Sequence, residues 1–320
     1  MFRYLVGRIF SLVFVLFVVS VVVFTIMKSV PGGPFDEEKG RLPAAAKANI
    51  MEKYGLEGPA WQQYLNYMGS ALQGDFGIPY QQPTTTVTAL IGESWAVTAQ
   101  VGLLTIILAF GLGIALGTVA AARQNSWVDN LVTFTSTLGV TVPNFVVALW
   151  LILIFTVANP WLPMRGWGAS ACLIGNYFCT DWILPVVAYA VAPMALVARY
   201  TRSSIVDVKR AEYVRTARAK GLSEPVVMRK HVFRNAQIPL VTVLGTEIPN
   251  LITGSIFIES VFAINGLGKF FVTSVTTRDY PMIMALFLLI ALLWGVTYLL
   301  TDLGYTWIDP RIRLGGERAS

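Results

Sequence analysis

The residues of this chain that could carry out chemistry are few. Its 320 residues include one histidine, His231, and two cysteines, Cys172 and Cys179. Catalysis by a triad needs a histidine beside a nucleophile, and zinc proteolysis commonly needs the pattern H-E-x-x-H. His231 lies in neither pattern. The sequence therefore predicts no catalytic site and no metal site, and we interpret His231 as a packed residue.

A nucleotide site is not expected either. A P-loop that cradles phosphates reads G-x-x-x-x-G-K-[S/T]. The near match ends in GLGK at 266–269, but Ala263 occupies the first glycine position and Phe270 replaces the serine or threonine. We therefore expect this chain to hydrolyse no ATP and to hold no cofactor of its own.

The most informative stretch of the chain is basic. Ten of the 24 lysines and arginines lie between positions 199 and 234. Ser203 or Ser204 can cap a helix, and Gly221 is a natural residue to end it. Ser223, which precedes an acidic residue and a proline, indicates the start of a second helix. The segment is predicted to form a helix, a glycine turn and another helix.

One face of the first predicted helix carries mostly small residues. Positions i, i+4, i+7 and i+11 of this face are taken by Arg210, Val214, Ala217 and Gly221. Small side chains allow another surface to approach closely, and the surrounding lysines and arginines can pair with acidic groups on that surface. We interpret the segment as a protein-docking element. The alternative is a solvated basic loop held near anionic lipid head groups.

The elements that must position these residues are apolar helices. Charged residues make up 13% of the chain, against about 25% in ordinary globular domains, and apolar residues make up 55%. The mean hydropathy is +0.62. A chain of this length cannot hide so much apolar surface from water. The composition predicts a protein of the lipid bilayer and disfavours nucleic-acid binding.

Six stretches are apolar enough to be membrane-spanning helices, which need about 20 residues each. They cover 9–27, 95–122, 131–158, 182–197, 238–262 and 281–300. With the N-terminus in the cytoplasm, 16 of the 24 basic residues fall on the cytoplasmic side, as the positive-inside rule requires. The predicted fold class is an all-α polytopic membrane protein with six transmembrane helices and both termini in the cytoplasm.

Two of the segments outside the membrane are long. The first, 30–94, carries several turn signals and is predicted to form a small ordered cap of short helices and turns. The second, 159–181, contains Cys172 and Cys179. A disulfide between these cysteines is chemically allowed in that compartment. Two unpaired thiols are the alternative.

Several stretches of the chain together resemble one family of transport proteins. RTARAKGL at 215–222 resembles the cytoplasmic coupling segment of the permease subunits of bacterial ABC importers, in the dipeptide and oligopeptide family. The wider importer pattern reads Glu-Ala-Ala, three residues and Gly. Here Arg215 replaces the Glu, Thr216 replaces the first Ala, and Ala217 and Gly221 are kept. These departures resemble the peptide branch of the family.

The resemblance covers nearly the whole chain. Its further motifs are PGGPF (31–35), YGLEGP (54–59), QQYLNY (62–67), GDFG (74–77), ARQNSWVD (122–129), His231 with Asn235, ITGSIFIESVFAINGLG (252–268) and DPRIR (309–313). PGGPF and the Gln-Asn pair before the third span are more similar to oligopeptide permeases than to the dipeptide or nickel branches.

The resemblance implies a type I ABC importer permease fold in the bacterial inner membrane. It divides the chain into an N-terminal helix with its extracytoplasmic segment (1–93), a transmembrane core (94–305) and a cytoplasmic tail (306–320). The coupling loop would lie at about 203–235. The residues that would couple to the ATPase are Arg215, Thr216, Ala217, Lys220 and Gly221.

The resemblance also implies partners. A second, homologous permease would complete the pathway, and two ATPase subunits would bind inside and use ATP and Mg. An extracytoplasmic substrate-binding protein would deliver dipeptides or oligopeptides. Relatives of the family also resemble carriers of nickel, glutathione or glycosides, so these cargoes stay open. A secondary transporter is a further alternative; it would show inverted repeats and paired broken helices, which we do not find.

Polar residues inside the spans are costly and therefore suggest function. Glu247 lies near the middle of the fifth span, close to Asn250. A carboxylate there could hold the ammonium group of a peptide; an interhelical hydrogen bond or ion pair, or a helix end at the interface, is the alternative. In the third span, Thr141 and Asn144 flank Pro143 and predict a polar notch facing the pathway. Glu259 is interpreted as structural.

Overall fold

The computed structural model describes residues 2–30, 58–164, 166–168, 172–174 and 177–308. These ranges are mainly helical, which confirms the predicted all-α class. Within the described residues, five helices are long and apolar enough to cross a membrane, and a sixth crossing is formed if one sharply bent pair of helices is counted as a single span.

The first half of the described chain runs from helix α1 to a short β-hairpin. These are α1 (Phe2–Ser29), α2 (Ala60–Ala71), α3 (Val87–Ala122), α4 (Trp127–Thr141), α5 (Asn144–Ile152) with its π-helical continuation (Leu153–Ala158), β1 (Cys172–Ile174) and β2 (Tyr177–Cys179). The two strands pair antiparallel, with Cys172 opposite Cys179.

The second half begins with a 3₁₀ turn (Thr180–Trp182) and runs to the end of the described chain. Its helices are α6 (Ile183–Lys209), α7 (Glu212–Ala219), α8 (Glu224–Val226), a π-helical segment (Val227–Phe233), α9 (Arg234–Ala236), α10 (Ile238–Ile252), α11 (Ile256–Val261), α12 (Leu267–Thr276) and α13 (Tyr280–Ile308).

The third predicted span, 131–158, is not one straight helix. The chain bends by 102° between α4 and the segment that starts at Asn144. The cause is Pro143, because a proline disfavours helical geometry in the residue before it. Val142 is accordingly extended, with φ −77° and ψ 124°. The third predicted span is therefore broken at Pro143, next to the polar notch that the sequence predicts there.

Helix α6 lies at the centre of the bundle and packs against α3, α4, α5 and α10. Glycines allow the close approach of α3. A Cβ atom at Gly113 would lie 2.8 Å from the Met194 carbonyl oxygen, and one at Gly117 would lie 2.4 Å from that of Ala198. These two glycines therefore allow α3 and α6 to pack closely. A Cβ at Gly111 would meet no atom within 4 Å.

The remaining long helices, α1 and α13, pack against each other at one side of this bundle. A polar contact joins them near the N-terminus of the chain, where the Tyr4 hydroxyl donates to Asp302 Oδ2 at 2.7 Å and Arg8 pairs with the same carboxylate. At the opposite end, α2 lies against both helices. The hydroxyls of Tyr64 and Ser20 are 2.8 Å apart, and the Tyr67 hydroxyl donates to the Pro281 carbonyl at 3.2 Å.

Candidate functional site

The basic segment forms a helix and a glycine turn, but its first helix begins later than predicted. Helix α6 continues through Ser203 and Ser204 to Lys209, so neither serine caps a helix. The Ser204 hydroxyl instead donates to the Ala236 carbonyl at 2.9 Å. Helix α7 begins at Glu212, and the predicted second start at Ser223 is confirmed.

The turn that ends α7 is a Schellman motif. The amide of Gly221 donates to the Arg218 carbonyl at 2.9 Å, and the amide of Leu222 donates to the Ala217 carbonyl at 3.4 Å. Gly221 has φ +78°, a conformation that costs other L residues energy. A Cβ there would meet no atom within 4 Å. The backbone conformation, and not a lack of space, therefore favours glycine.

The small-residue face of α7 points into the protein, which corrects the interpretation drawn from the sequence. Val214 and Ala217 are buried in a cluster with Ile205 and Val206 of α6 and Val227 of the π-helical segment. The side chain of Ala217 is therefore not accessible to a partner. The small face fixes α7 onto α6 and leaves the opposite face of α7 exposed.

That exposed surface carries the other predicted coupling residues. Arg215, Thr216, Lys220 and Gly221 are all exposed. The Thr216 hydroxyl donates back to the Glu212 carbonyl at 3.1 Å. We call the exposed residues from Glu212 to Leu222, without the buried Val214 and Ala217, the α7 surface.

Side-chain contacts fix the α7 surface at both ends. Arg218 forms two hydrogen bonds across the glycine turn to Glu224, at 3.0 and 2.7 Å. This guanidinium lowers the pKa of the Glu224 carboxyl. At the other end, the Asn235 amide donates to the Tyr213 hydroxyl at 3.0 Å. Sequence reasoning missed Tyr213 and Leu222, which are 44% and 40% exposed and add apolar area to a basic surface.

Of the pathway candidates, Asn250 and Glu247 lie on α10 beside α6. The Tyr189 hydroxyl of α6 donates to the Asn250 carbonyl at 3.0 Å, and the Asn250 residue is exposed. Glu247 is half-buried, and within the described ranges no hydrogen bond or ion pair holds its carboxylate. Nothing in these ranges therefore supports the alternative that Glu247 is a paired structural residue.

Thr141 and Asn144 lie on either side of the bend in the third span. Thr141 is exposed and its hydroxyl donates to the Thr137 carbonyl at 2.8 Å; Asn144 is half-buried at the start of α5. Gly139, just before the bend, lies against Ala195 of α6. Ala195 and Tyr189 are about 9 Å apart along the helix axis, since each residue adds about 1.5 Å. The helix that leads to Thr141 and the backbone of Asn250 thus contact the same short stretch of α6.

Glu259 joins three elements. Its carboxylate accepts the Thr98 hydroxyl of α3 at 2.9 Å and the Gly268 amide, at the N-terminus of α12, at 2.6 Å. The residue is 2% exposed. A Cβ at Gly254 or Gly266 would lie 2.4 or 2.5 Å from its oxygens. The glycines of the 252–268 motif thus leave room for this carboxylate, in agreement with the structural role predicted for it.

Two family descriptions match the chain. "Binding-protein-dependent transport system inner membrane component" matches residues 113–314, and the N-terminal membrane component of the same systems matches residues 1–117. The chain belongs to this family. It is therefore a multi-pass protein of the inner membrane and a transport component.

Several dipeptide and oligopeptide permeases are similar to this permease over nearly its full length. The dipeptide transport system permease protein DppB of Bacillus subtilis is 38% identical over 98% of this chain and 99% of its own. The oligopeptide transport system permease protein AppB of the same organism is also 38% identical, over the same shares. The oligopeptide permease OppB of Haemophilus influenzae is 36% identical over 98% of this chain and all of its own.

Two solved structures are similar at lower identity. The inward-facing MetNI methionine ABC transporter is 15% identical, with a TM-score of 0.49, over 70% of this chain and 96% of that chain. An amino acid ABC transporter solved with histidines is 19% identical, with a TM-score of 0.47, over 70% and 95%.

The motif at 122–129 of this permease also has a structural explanation. Asn125 adopts φ +64°, and its amide donates to Asp129 Oδ2 at 2.9 Å. Ser126 caps α4 by accepting the Asp129 amide. The buried Asp129 carboxylate also pairs with Arg202 of α6, where Arg202 Nη2 lies 2.7 Å from Oδ2. The motif therefore joins α4 to α6 just before the α7 surface, a contact that the sequence analysis missed.

The hairpin brings the two cysteine positions together. Cys172 and Cys179 are partners in the strand register, and Cys179 is disulfide-bonded. The motifs at 31–35 and 309–313 and most of that at 54–59 lie outside the described residues.

Proposed function

We propose that this chain is a membrane-spanning subunit of an ATP-driven importer of dipeptides or oligopeptides. The relatives that support this proposal carry the names of dipeptide and oligopeptide permeases and align with 98% of the chain. Nickel, glutathione and glycosides are alternative cargoes, and a secondary transporter is the alternative mechanism. In this proposal the chain has six spans, both termini are cytoplasmic, and substrate moves without chemical change.

The partners follow from the proposed mechanism. A second homologous permease completes the pathway, and a binding protein outside delivers the peptide. Two ATPase subunits bind inside, one of them on the α7 surface of this chain, and supply the ATP and Mg sites, while this chain binds neither ATP nor Mg. The observation that best supports the proposal is the geometry of Gly221. The left-handed conformation of Gly221 forms an exposed basic turn at the end of α7. Buried Val214 and Ala217 fix this helix to the rest of the protein.

The contacts of α7 can transmit movement of a bound ATPase into the membrane. Helix α7 packs against the end of α6 through Val214 and Ala217. The Lys209 ammonium at the end of α6 donates to the Ala121 carbonyl of α3 at 2.8 Å. Packed elements of this kind move as bodies between a few arrangements. A displacement of α7 would therefore shift α6, which carries the Tyr189 contact to the pathway candidate Asn250.

The proposed pathway is polar beside this part of α6. Thr141, Asn144 and Asn250 offer hydroxyl and amide groups, and Glu247 offers a carboxylate. Peptides present amide groups along their length and an ammonium group at one end. A half-buried carboxylate that no described cation neutralises can attract that ammonium group as the peptide passes.

The proposal is tested by purifying the tagged chain from its native membrane in a mild detergent and identifying the proteins that accompany it. We expect a second permease and P-loop ATPases in fixed ratio. A matched sample in which Arg215 and Lys220 are both replaced by glutamate is expected to retain the second permease and to lose the ATPases. Recovery of the unaltered chain alone, under conditions that preserve other membrane complexes, would contradict the proposal.

A further inference from the structure

Helix α4 is attached to the bundle with few buried side chains. Of its fifteen residues, all of which the structure describes, only Asp129, Ser136 and Gly139 are buried. Five of its large apolar side chains are at least 43% exposed, namely Trp127, Leu131, Phe134, Leu138 and Val140. Within a bilayer, apolar side chains gain little by packing on another helix, because lipid tails are equally apolar. Polar contacts and close backbone approach must therefore hold α4.

The strongest polar contact of α4 is the ion pair between Asp129 and Arg202 of α6. The guanidinium uses two nitrogens, since Nη2 donates to Oδ2 at 2.7 Å and Nε donates to Oδ1. The Asp129 side chain is 1% exposed, and that of Arg202 is 29% exposed. A guanidinium that binds a carboxylate through two nitrogens fixes direction as well as distance. Loss of the cation would leave a buried carboxylate unpaired, which is costly.

Arg202 lies between the contacts that α6 makes with α3 and with α7. A Cβ at Gly117 of α3 would be 3.1 Å from the Arg202 amide nitrogen, so the α6 backbone lies directly against α3 here. One turn further on, Ile205 and Val206 belong to the buried cluster that holds α7. The Arg202 side chain is thus attached to the part of α6 that a displacement of α7 would reach first.

The far end of α4 leads to two of the pathway candidates. A Cβ at Gly139 would lie 2.9 Å from the Ala195 Cβ of α6. The chain then bends by 102° between Thr141, which ends α4, and Asn144, which starts α5. The twelve residues from Asp129 to Thr141 extend about 18 Å as helix. A helix that is fixed to α6 by charge at one end and by close approach near the other follows a displacement of α6.

We propose that Asp129 and Arg202 are positioning residues that make α4 move together with α6. Displacement of α7 by the ATPase then reaches Thr141 and Asn144 as well as the Asn250 backbone. The inference rests on the proposed function, because it assigns the pair to a step of the same transport cycle. The ion pair contacts no substrate and acts only through the helices that it joins.

The first test measures the peptide taken up per ATP hydrolysed by the complex in proteoliposomes. Asp129→Asn keeps the shape of the side chain and removes its charge. Asp302→Asn is the matched control, because Asp302 pairs with Arg8 and joins α1 to α13. We expect Asp129→Asn to bind ATPase as the control does and to hydrolyse ATP, but to take up about tenfold less peptide per ATP. A merely structural pair would lower the Tm without changing this ratio.

A milder change tests the pair where Asp129→Asn is too unstable to purify. Arg202→Lys keeps the positive charge but loses the two-nitrogen geometry of the guanidinium. We expect it to take up about threefold less peptide per ATP than Asp302→Asn. The same uptake per ATP in Arg202→Lys and in Asp302→Asn would contradict the positioning role.

The second test needs no ATPase, so it separates this inference from the proposed function. Spin labels attached through Leu131→Cys and Tyr200→Cys, at positions that are 51% and 41% exposed, report the distance between α4 and α6 in lipid nanodiscs. We expect a narrow distance distribution in the otherwise unaltered chain and with Asp302→Asn, and a broader one with Asp129→Asn. Equal widths with Asp129→Asn and Asp302→Asn would overturn the proposal. An unaltered chain that recruits no ATPase would contradict the proposed function, while the distances still decide whether the pair holds α4 to α6.

Discussion

Replacement of Gly221 by alanine tests the coupling role of the α7 surface. A Cβ at Gly221 would meet no atom, so the change introduces no clash, but φ +78° is unfavourable for alanine. The left-handed conformation costs a non-glycine residue about 1–2 kcal/mol. The turn is exposed and can relax when the ATPase is absent, whereas a docked turn must keep its shape. We therefore expect ATPase binding to weaken roughly 5- to 30-fold, because about 1.4 kcal/mol corresponds to a factor of ten.

The assay measures the binding of purified ATPase to the permease pair in detergent, together with ATP-dependent uptake in proteoliposomes. Gly74→Ala is the matched control, since Gly74 ends α2 in the same Schellman geometry with φ +83° and open space around it. Because both exposed turns can relax in the free protein, both variants are expected to change the Tm little and to a similar extent. Only Gly221→Ala is expected to weaken ATPase binding, and Gly221→Trp is expected to abolish uptake while the protein still reaches the membrane.

Two results would refute this reasoning. If Gly221→Ala and Gly221→Trp both bind ATPase as tightly as Gly74→Ala, the turn does not contact the ATPase. If Gly221→Ala loses far more Tm than Gly74→Ala, its effect on uptake reports folding and not docking.

Three further predictions concern single side chains. Glu259→Ala leaves the Gly268 amide and the Thr98 hydroxyl without their acceptor. We therefore expect the free energy of unfolding to fall by about 1–3 kcal/mol, seen as a lower Tm, and to fall less in Glu259→Gln. An unchanged Tm would contradict the structural role. Glu247→Gln is expected to reduce the preference for free over N-acetylated peptides in uptake competition, and an unchanged preference would remove Glu247 from the proposed pathway. Peptide mapping without reductant is expected to recover Cys172 linked to Cys179, whereas alkylation of both thiols before reduction would exclude that disulfide.

The sequence predicted the glycine turn but not the direction that α7 faces. Gly221 and Ser223 are local signals, because each acts through its own backbone conformation, and both were interpreted correctly. The orientation of Val214 and Ala217 depends on a cluster formed with the end of α6, with Ala121 of α3, which is distant in the chain, and with the π-helical segment, which is irregular. A small-residue face packs equally well on a partner or on the same chain, so the sequence could not distinguish these two arrangements.

The bend in the third span and the polar contacts between helices were also beyond what the sequence could predict. The sequence predicted a polar notch at Pro143 but not the size of the bend there, 102°, since the apolar run continues across the proline. The Asp129–Arg202 pair and the hydrogen bond between Thr98 and Glu259 join residues far apart in sequence. A single sequence shows that such residues are present but not which of them meet.

ATP-dependent uptake of a labelled peptide into proteoliposomes that contain the purified complex tests the central claim most directly. With binding protein and peptide on one side and ATP and Mg on the other, the account predicts uptake that requires ATP and stops in the Gly221→Trp variant. Unlabelled peptide is expected to compete, while nickel or a glycoside is not. Uptake driven by an ion gradient through this chain without any ATPase would contradict the account and would identify a secondary transporter.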